Sequence, residues 1–236
     1  MRFQVAVLAA VAVASTGATP LNFVGWTLQQ ATGFDLSNTN HYGSPIPPWK
    51  SGHQPGWYYG SSPEKFPGIP CLSGIICEIL EFFPYAIQCP KPKPPPPHTT
   101  SVKTITKTAT KTTTVTTTAT TTDTVTATPT PSAIDGYTPT FTNISAAVQA
   151  DDFQTFGLVD TIPECLAMCD TVSGCIFVNT YNDVNGKGGS TQLTCSLFTL
   201  CHDASDADNF GGQSQPNGSL DFIANSDGWC KSTPTA

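Results

Sequence analysis

The chain has 236 residues, of which only 11% are charged, and it contains 21 Pro, 19 Gly and 9 Cys. This composition argues against one large enzyme, because the residues that can form a core must be concentrated in part of the chain. So many cysteines indicate an oxidising, secreted setting, since cytosolic redox buffers keep thiols reduced. The formal net charge of −7 disfavours a nucleic-acid ligand.

Residues 1–18 are typical of a secretory signal peptide. Arg2 precedes a short apolar run from Val5 to Val13, and small residues then lead to Ala18. This run is too short for a membrane helix, which needs about 20 apolar residues. We therefore expect cleavage after Ala18, or alternatively after Ala14, and a secreted protein, free or associated with a cell wall, with no membrane attachment.

Composition divides the rest of the chain into three parts. Residues 19–89 contain cysteines and aromatic residues, residues 90–131 are rich in Pro and Thr, and residues 132–236 carry 12 acidic residues against two lysines. A tract with 19 Thr in residues 99–130 cannot bury enough apolar surface to offset the entropy of ordering. We expect residues 90–131 to be a disordered, O-glycosylated linker, with a bare flexible spacer as the alternative.

Local patterns in residues 132–236 predict one helix and several strands. Thr161 and Glu164 form a capping box that predicts a helix start, with Cys165 and Cys169 facing the core. Ser173-Gly174 predicts its end. Strands are predicted at 141–148, 156–159, 175–181, 192–198 and 220–223, the third and fourth as a hairpin.

The run CLAMCDTVSGCIFVNTY, followed by Cys195-Ser196-Leu197, resembles a PAN/apple module. The resemblance implies an α+β fold: a small disulfide-stapled PAN/apple-like domain with an antiparallel sheet and one packed helix. The segment is also similar to the fruiting-body-specific secreted proteins of basidiomycete fungi. By the resemblance Cys165 pairs with Cys195 and Cys169 with Cys175, and we pair the remaining Cys201 with Cys230.

The N-terminal segment resembles a fungal family 1 cellulose-binding module through Cys71-x5-Cys77 and Tyr85-x-x-Gln88-Cys89. The resemblance implies that Tyr85 and Trp57 stack on sugar rings beside Gln88. It also implies a Cys71–Cys89 disulfide with Cys77 unpaired. The module's first Cys is missing near Gly60, and the alternative is an extension whose Trp26, Trp49 and Trp57 cover a small core.

Catalytic motifs are absent from the sequence. It contains no G-x-S-x-G elbow, H-E-x-x-H pair or Gly-rich phosphate loop. His202 is interpreted as a surface residue beside a disulfide. The acids at 203, 206 and 208 lack the spacing of an EF-hand calcium loop. We expect no catalytic residue, cofactor or metal.

Two sequons predict N-glycosylation at Asn143 and Asn217, at strand edges or loops. Together these features predict a non-catalytic, monomeric interaction module that binds an extracellular protein or a cell-wall polysaccharide. One alternative is a structural cell-wall glycoprotein without a specific ligand. The other is a secreted hydrolase that would depend on Asp152 or Asp203.

Overall fold

The computed structural model describes residues 23–91, 132–186, 190–215 and 217–232. The predicted signal peptide and nearly all of the predicted linker lie outside these residues. The described residues form a mixed α+β fold. Its helices are α1 (Leu28–Thr32), α2 (Ile75–Leu80) and α3 (Ile162–Thr171). Its strands are β1 (Tyr58–Tyr59), β2 (Tyr137–Ile144), β3 (Ala147–Val148), β4 (Phe153–Val159), β5 (Phe177–Val184), β6 (Leu193–Phe198), β7 (Ala207–Asn209), β8 (Gly211–Ser214) and β9 (Leu220–Lys231).

A seven-stranded sheet organises the fold. Its strand order is β1-β4-β6-β5-β9-β2, and β8 pairs with β9 outside this path. The pairs are antiparallel except for β1 with β4. Strands β3 and β7 form a separate antiparallel ribbon. The sheet therefore has its central strands in the C-terminal domain and an edge strand from the N-terminal segment.

Helix α3 confirms the predicted capping box. The Thr161 hydroxyl accepts a bond from the Glu164 amide at 3.4 Å, and the Glu164 carboxylate accepts one from the Thr161 amide at 2.7 Å. Cys165 and Cys169 are buried, as the helical spacing predicts. The helix ends at Thr171, slightly before the predicted Ser173-Gly174 stop.

The predicted hairpin is confirmed, because β5 and β6 are adjacent and antiparallel. The predicted strand at 220–223 is much longer and runs to Lys231. The predicted strand at 141–148 is divided between β2 and β3. Asn143 adopts a left-handed backbone conformation with φ 53°, and the register of β2 against β9 shifts at this point.

Three disulfides connect elements of the C-terminal domain. Cys165–Cys195 joins α3 to β6, Cys169–Cys175 joins the end of α3 to the entry of β5, and Cys201–Cys230 ties a loop to β9. These are the pairs expected from the sequence. Each closes a loop and restricts the unfolded chain, which stabilises the folded state.

The N-terminal segment shares the main apolar core with the C-terminal domain. Leu28, Leu36 and Leu80 belong to the same buried cluster as Val159 and Leu166. Backbone bonds continue the contact, since the amide of Leu158 donates to the carbonyl of Trp57 at 2.9 Å. The segment thus completes both the core beneath α3 and one edge of the sheet.

The opposite face of the sheet is also covered by the N-terminal segment. Phe153, Phe156 and Phe198 lie in a second buried cluster. Trp49 packs against it, with its ring parallel to that of Phe198 at a centroid distance of 6.4 Å. Residues 23–91 therefore contact both faces of the sheet, and the space between them and the sheet forms a groove.

Candidate binding surfaces

The predicted Cys71–Cys89 disulfide is wrong, because Cys89 is bonded to Cys77 and Cys71 is free. Cys77 lies in α2, close to Cys89, with their Cα atoms 5.6 Å apart. Cys71 forms a parallel bridge with Tyr58 of β1. Its position beside the sheet edge keeps it away from Cys89, and its sulfur lies 3.3 Å from the Ser73 hydroxyl.

The predicted sugar contact at Trp57 is also wrong. The Trp57 side chain is 0% exposed, so it cannot stack on a polysaccharide. Its indole nitrogen donates to the hydroxyl of Thr155 at 3.3 Å, and its ring fills the space above Gly157. A Cβ at Gly157 would overlap this ring. Trp57 is a core residue that joins the two parts of the chain.

Gln88 makes internal hydrogen bonds where a sugar contact was expected. Its amide nitrogen donates to the carbonyls of Leu80, Phe83 and Ala86 at 3.1–3.2 Å. These carbonyls lie at the end of α2 and in the turn after it, where backbone acceptors lack helical partners. Gln88 therefore orders the backbone next to Tyr85, and its amide nitrogen is not available to a ligand.

Tyr85 is exposed and belongs to a larger group of aromatic side chains. The exposed fractions are 47% for Tyr85, 51% for Phe82 and 53% for Trp26. Phe23 links two of them, with its ring 6.0 Å from Trp26 and 5.3 Å from Phe82. We call Phe23, Trp26, Phe82 and Tyr85 the aromatic surface.

Buried contacts hold the aromatic surface in place. Phe83 is 5% exposed and packs beneath it, with its ring 6.3 Å from Phe23 and 6.0 Å from Tyr85. The Cys77–Cys89 disulfide brackets Phe82 and Tyr85 in sequence. A capping box between Thr27 and Gln30 begins α1 directly after Trp26. The exposed rings are therefore ordered before any ligand arrives.

The groove is a cavity of about 600 Å³ between the N-terminal segment and the sheet. Residues 51–55, Phe66 and Ile69 form one wall, while residues 213–215 of the β8 region form another. Leu158, Asp183 and Asp221 contribute from the sheet. This volume lies in the range of small-molecule sites, which is roughly 300–1,000 Å³.

Among the described residues that line the groove, the ionisable side chains are His53, Asp183 and Asp221. Asp183 is 7% exposed and Asp221 is 4% exposed. The backbone amide of Gln213 donates to Asp221 and fixes its side chain. Burial raises the pKa of the nearby Tyr181, and the charges of Asp183 and Asp221 raise it further. Tyr181 therefore stays neutral beneath the carboxylates.

His202 lies between two carboxylates and is not the surface residue that the sequence suggested. Its side chain is 10% exposed, and its ring nitrogens lie 3.0 Å from Asp152 and 3.0 Å from Asp206. The rings of Phe177 and Phe198 are each 5.2 Å away. These two carboxylates and the two phenyl rings hold the imidazole in place.

Asp203 has a structural role at the start of a short 3-10 helix, Ala204–Asp206. The hydroxyl and amide of Ser205 donate to its carboxylate at 2.6 and 2.7 Å. These bonds hold the pKa of Asp203 below its usual value. Among the described residues, no group of three or more His, Cys, Asp or Glu side chains is arranged to hold a metal ion.

Both predicted glycosylation sites are exposed. Asn143 lies at the bend of β2, and Asn217 lies in the turn between β8 and β9. The side-chain oxygen Oδ1 of Asn217 accepts bonds from the amide and hydroxyl of Ser219. A glycan on Asn217 would extend from the hairpin whose strands line the groove.

No family model, curated protein or solved structure matches this chain. Within the part of the chain that the structure describes, no helix is long and apolar enough to cross a membrane. The described residues present two surfaces of different character, an exposed aromatic surface and a groove lined by two buried carboxylates.

Proposed function

We propose that this protein is a secreted, non-catalytic module that binds carbohydrate in the extracellular space or cell wall. The observation that carries the proposal is the aromatic surface, in which Trp26, Phe82 and Tyr85 are about half exposed and linked through Phe23 and Phe83. The signal-like N-terminus and the four disulfides support an extracellular address.

The chemistry of aromatic side chains supports a sugar ligand. A pyranose ring has flat apolar faces, and a flat aromatic ring buries them without needing a matching charge. Contiguous exposed apolar groups on a folded protein mark interaction sites, because isolated exposure is the more usual arrangement. Three half-exposed rings held by a disulfide and a buried Phe form such a group.

We further propose that the C-terminal domain is PAN/apple-like. Support comes from α3 packed on the antiparallel sheet, with Cys165–Cys195 and Cys169–Cys175 connecting helix to strands. In this account the domain supports the N-terminal segment, whose aromatic surface makes the contact with the wall. A structural wall glycoprotein without a ligand is the alternative, and it predicts no specific retention on any polysaccharide.

A pull-down on insoluble cellulose, chitin and β-glucan tests the proposal, using the full mature chain from a secreting host. We expect retention on at least one polymer. Each ring removed, as in Trp26→Ala or Tyr85→Ala, should weaken binding about 5- to 30-fold, because covering the exposed half of a ring contributes about 1–2 kcal/mol.

The matched control is Phe210→Ala, which removes an aromatic side chain that is 66% exposed and lies outside the aromatic surface. This variant should bind like the wild type. The proposal fails if no polymer retains the protein, or if Phe210→Ala and Tyr85→Ala reduce retention equally.

A further inference from the structure

We propose that Asn217 is a self-modifying site, at which the chain itself converts the asparagine to aspartate and isoaspartate unless a glycan occupies the side chain. The reaction involves neither the aromatic surface nor the groove, so it goes beyond the proposed function. The proposal follows from the sequence Asn217-Gly218-Ser219, from the exposure of this turn and from the hydrogen bonds of the Asn217 side chain.

The reaction requires the backbone nitrogen of the next residue and one water molecule. The Gly218 nitrogen attacks Cγ of Asn217 and forms a new N–Cγ bond. The Cγ–Nδ2 bond breaks, and the amide proton of Gly218 leaves with the departing ammonia. Water then opens the resulting succinimide ring at one of its two carbonyls, which leaves aspartate or isoaspartate at position 217. The net change is the replacement of ammonia by water, with no oxidation or reduction.

The residue that attacks is exposed and has no side chain. A side chain on this residue would crowd the succinimide ring, and glycine offers the least hindrance. Asn217 and Gly218 are both exposed, so water reaches the site. The Gly218 amide donates to the Gln215 carbonyl at 2.9 Å. This bond lies in an exposed turn and must open before the nitrogen attacks, which local fluctuations of such a turn allow.

The side chain of Asn217 is folded over the peptide unit that attacks it. Its Oδ1 accepts bonds from the Ser219 amide at 3.0 Å and from the Ser219 hydroxyl at 2.7 Å. The ring closed by the first bond contains both Cγ of Asn217 and the nitrogen of Gly218, so the two reacting atoms are held close together. The same donors face the oxygen that becomes negative when the nitrogen adds to Cγ, and they stabilise this intermediate.

The chain contains a second Asn-Gly pair, Asn185-Gly186, which differs in its contacts. The Asn185 amide nitrogen donates to the Leu220 carbonyl at 3.0 Å, and this bond holds the side chain against β9. Gly186 is buried, and its amide donates to the Asp183 carbonyl at 3.2 Å. We expect this pair to react slowly, and it serves as a control within the same molecule.

A glycan and the loss of ammonia use the same atom of Asn217. The sugar of an N-linked glycan is attached to Nδ2, and Ser219 completes the sequon. Copies that carry the glycan should therefore keep the asparagine, whereas unoccupied copies convert. Isoaspartate adds one main-chain carbon to the turn between β8 and β9, and either product adds a negative charge there.

The test uses the full mature chain from a bacterial periplasm, which oxidises cysteines and adds no N-linked glycan. The protein is incubated at mildly alkaline pH and digested at acidic pH. Mass spectrometry then follows the mass gain that accompanies the replacement of the amide by a carboxyl group in each Asn-Gly peptide. We expect conversion at Asn217 to be at least about tenfold faster than at Asn185. In urea the two rates should become similar, because both sites then have the same Asn-Gly sequence and no fixed contacts.

Ser219→Ala removes the hydroxyl donor and should slow conversion at Asn217 by about 3- to 10-fold in the native protein. It should have no effect in urea. Ser214→Ala removes an exposed hydroxyl from β8 in the same hairpin and is the matched control, with an unchanged rate. Thermal unfolding of each variant checks the fold.

The glycosylated form provides a second test. Protein from a secreting host, trimmed by an endoglycosidase that leaves the first sugar on Asn217, should show no conversion in the sugar-bearing peptide. The inference is overturned by equal rates at the two Asn-Gly pairs in native buffer, by equal rates in Ser219→Ala and Ser214→Ala, or by conversion of the sugar-bearing peptide. None of these measurements involves polysaccharide, so this inference and the proposed function can fail independently.

Discussion

Trp57 is the side chain through which the two described parts of the chain are most directly joined. It is fully buried, it donates to Thr155, and its ring lies over Gly157 of β4. A large aromatic residue in such a position contributes more by packing than by its single hydrogen bond. Its cost of removal therefore measures how much the N-terminal segment contributes to the common core.

Replacing Trp57 with Ala should lower the free energy of unfolding by about 3–5 kcal/mol, because a large buried cavity remains. Trp26→Ala removes the same kind of side chain from a site that is 53% exposed. This change should lower the free energy of unfolding by less than about 1 kcal/mol. Urea unfolding of the full chain measures both. Similar losses in the two variants would contradict the assignment of Trp57 to the core.

Asp160 fastens the segment after β1 to the end of β4. Its carboxylate accepts bonds from the Tyr58 hydroxyl at 2.9 Å and from the Ser61 amide at 2.8 Å. Partial burial acts to raise the pKa of Asp160, but the bonds from Ser61 and Tyr58 outweigh it and lower that pKa. The same environment raises the pKa of Tyr58 to about 12, chiefly through burial.

Asp160→Asn should therefore destabilise the protein at neutral pH, by no more than about 1 kcal/mol because the site is partly open to solvent. A carboxyl whose pKa is lower in the folded state stabilises fully above its unfolded pKa of about 4, and this stabilisation is lost as pH falls through the folded value. The free energy of unfolding, measured from neutral to acidic pH, should differ less and less between variant and wild type as the pH falls. A difference independent of pH would contradict this role.

At the scale of elements, α2 and the chain after it form the support of the aromatic surface. The Cys77–Cys89 disulfide closes this support, and Gln88 bonds three of its carbonyls. α2 has only Ile75–Leu80, so its own hydrogen bonds cannot hold it in isolation. The disulfide, the bonds of Gln88 and the packing of buried Phe83 therefore together hold Phe82 and Tyr85 in place.

Removing this disulfide with Cys77→Ser and Cys89→Ser should cost about 3 kcal/mol of stability and weaken polysaccharide retention. Cys71→Ser is the matched control and should do neither, because Cys71 is free. Peptide mapping of the native protein should find a Cys77–Cys89 peptide and an alkylated Cys71. A Cys71–Cys89 peptide would contradict the structure.

The elements differ in how well the sequence predicts them. The α3 start was predictable because Thr161 and Glu164 satisfy each other within one helical turn. The N-terminal segment was not predictable in this way, because β1 has only two residues and pairs with β4, which lies far away in the sequence. Three pairings are possible among Cys71, Cys77 and Cys89, and the bridge of Cys71 with Tyr58 of β1 leaves Cys77 to pair with Cys89.

The candidate sites were only partly predictable for the same reason. Tyr85 was found by its motif. Trp26 and Phe82 contact Phe23, which is linked to Tyr85 through Phe83, and no spacing in the sequence reveals these contacts. The carboxylates of the groove are common residues in an acidic domain. They become distinctive through burial, which depends on the register of β5 against β9 and on the loop at 51–55.

At the scale of the whole molecule, residues 23–91 and 132–232 share one core although nearly all of the predicted linker separates them in sequence. The four disulfides lie within one part or the other, so the two parts are held together by noncovalent contacts, which include the β1–β4 pair and the bonds of Asp160. The folded state is therefore a property of both described parts together.

A protease site inserted near residue 110 tests this arrangement. After cleavage the two fragments should co-elute on gel filtration in native buffer and separate in urea, because noncovalent contacts alone join them. The Trp57→Ala variant should release the fragments more readily. Separation of the wild-type fragments in native buffer would contradict the shared core.

The most direct test of sugar binding uses the four tryptophans as reporters. Trp26 is 53% exposed, whereas Trp57 and Trp229 are 0% and 4% exposed. In a ¹⁵N–¹H spectrum of the full mature chain, a soluble oligosaccharide of the retained polymer should shift the indole signal that Trp26→Phe removes, and leave those of Trp57 and Trp229 in place. An unmoved Trp26 signal at saturating oligosaccharide would contradict the proposal that the aromatic surface binds carbohydrate.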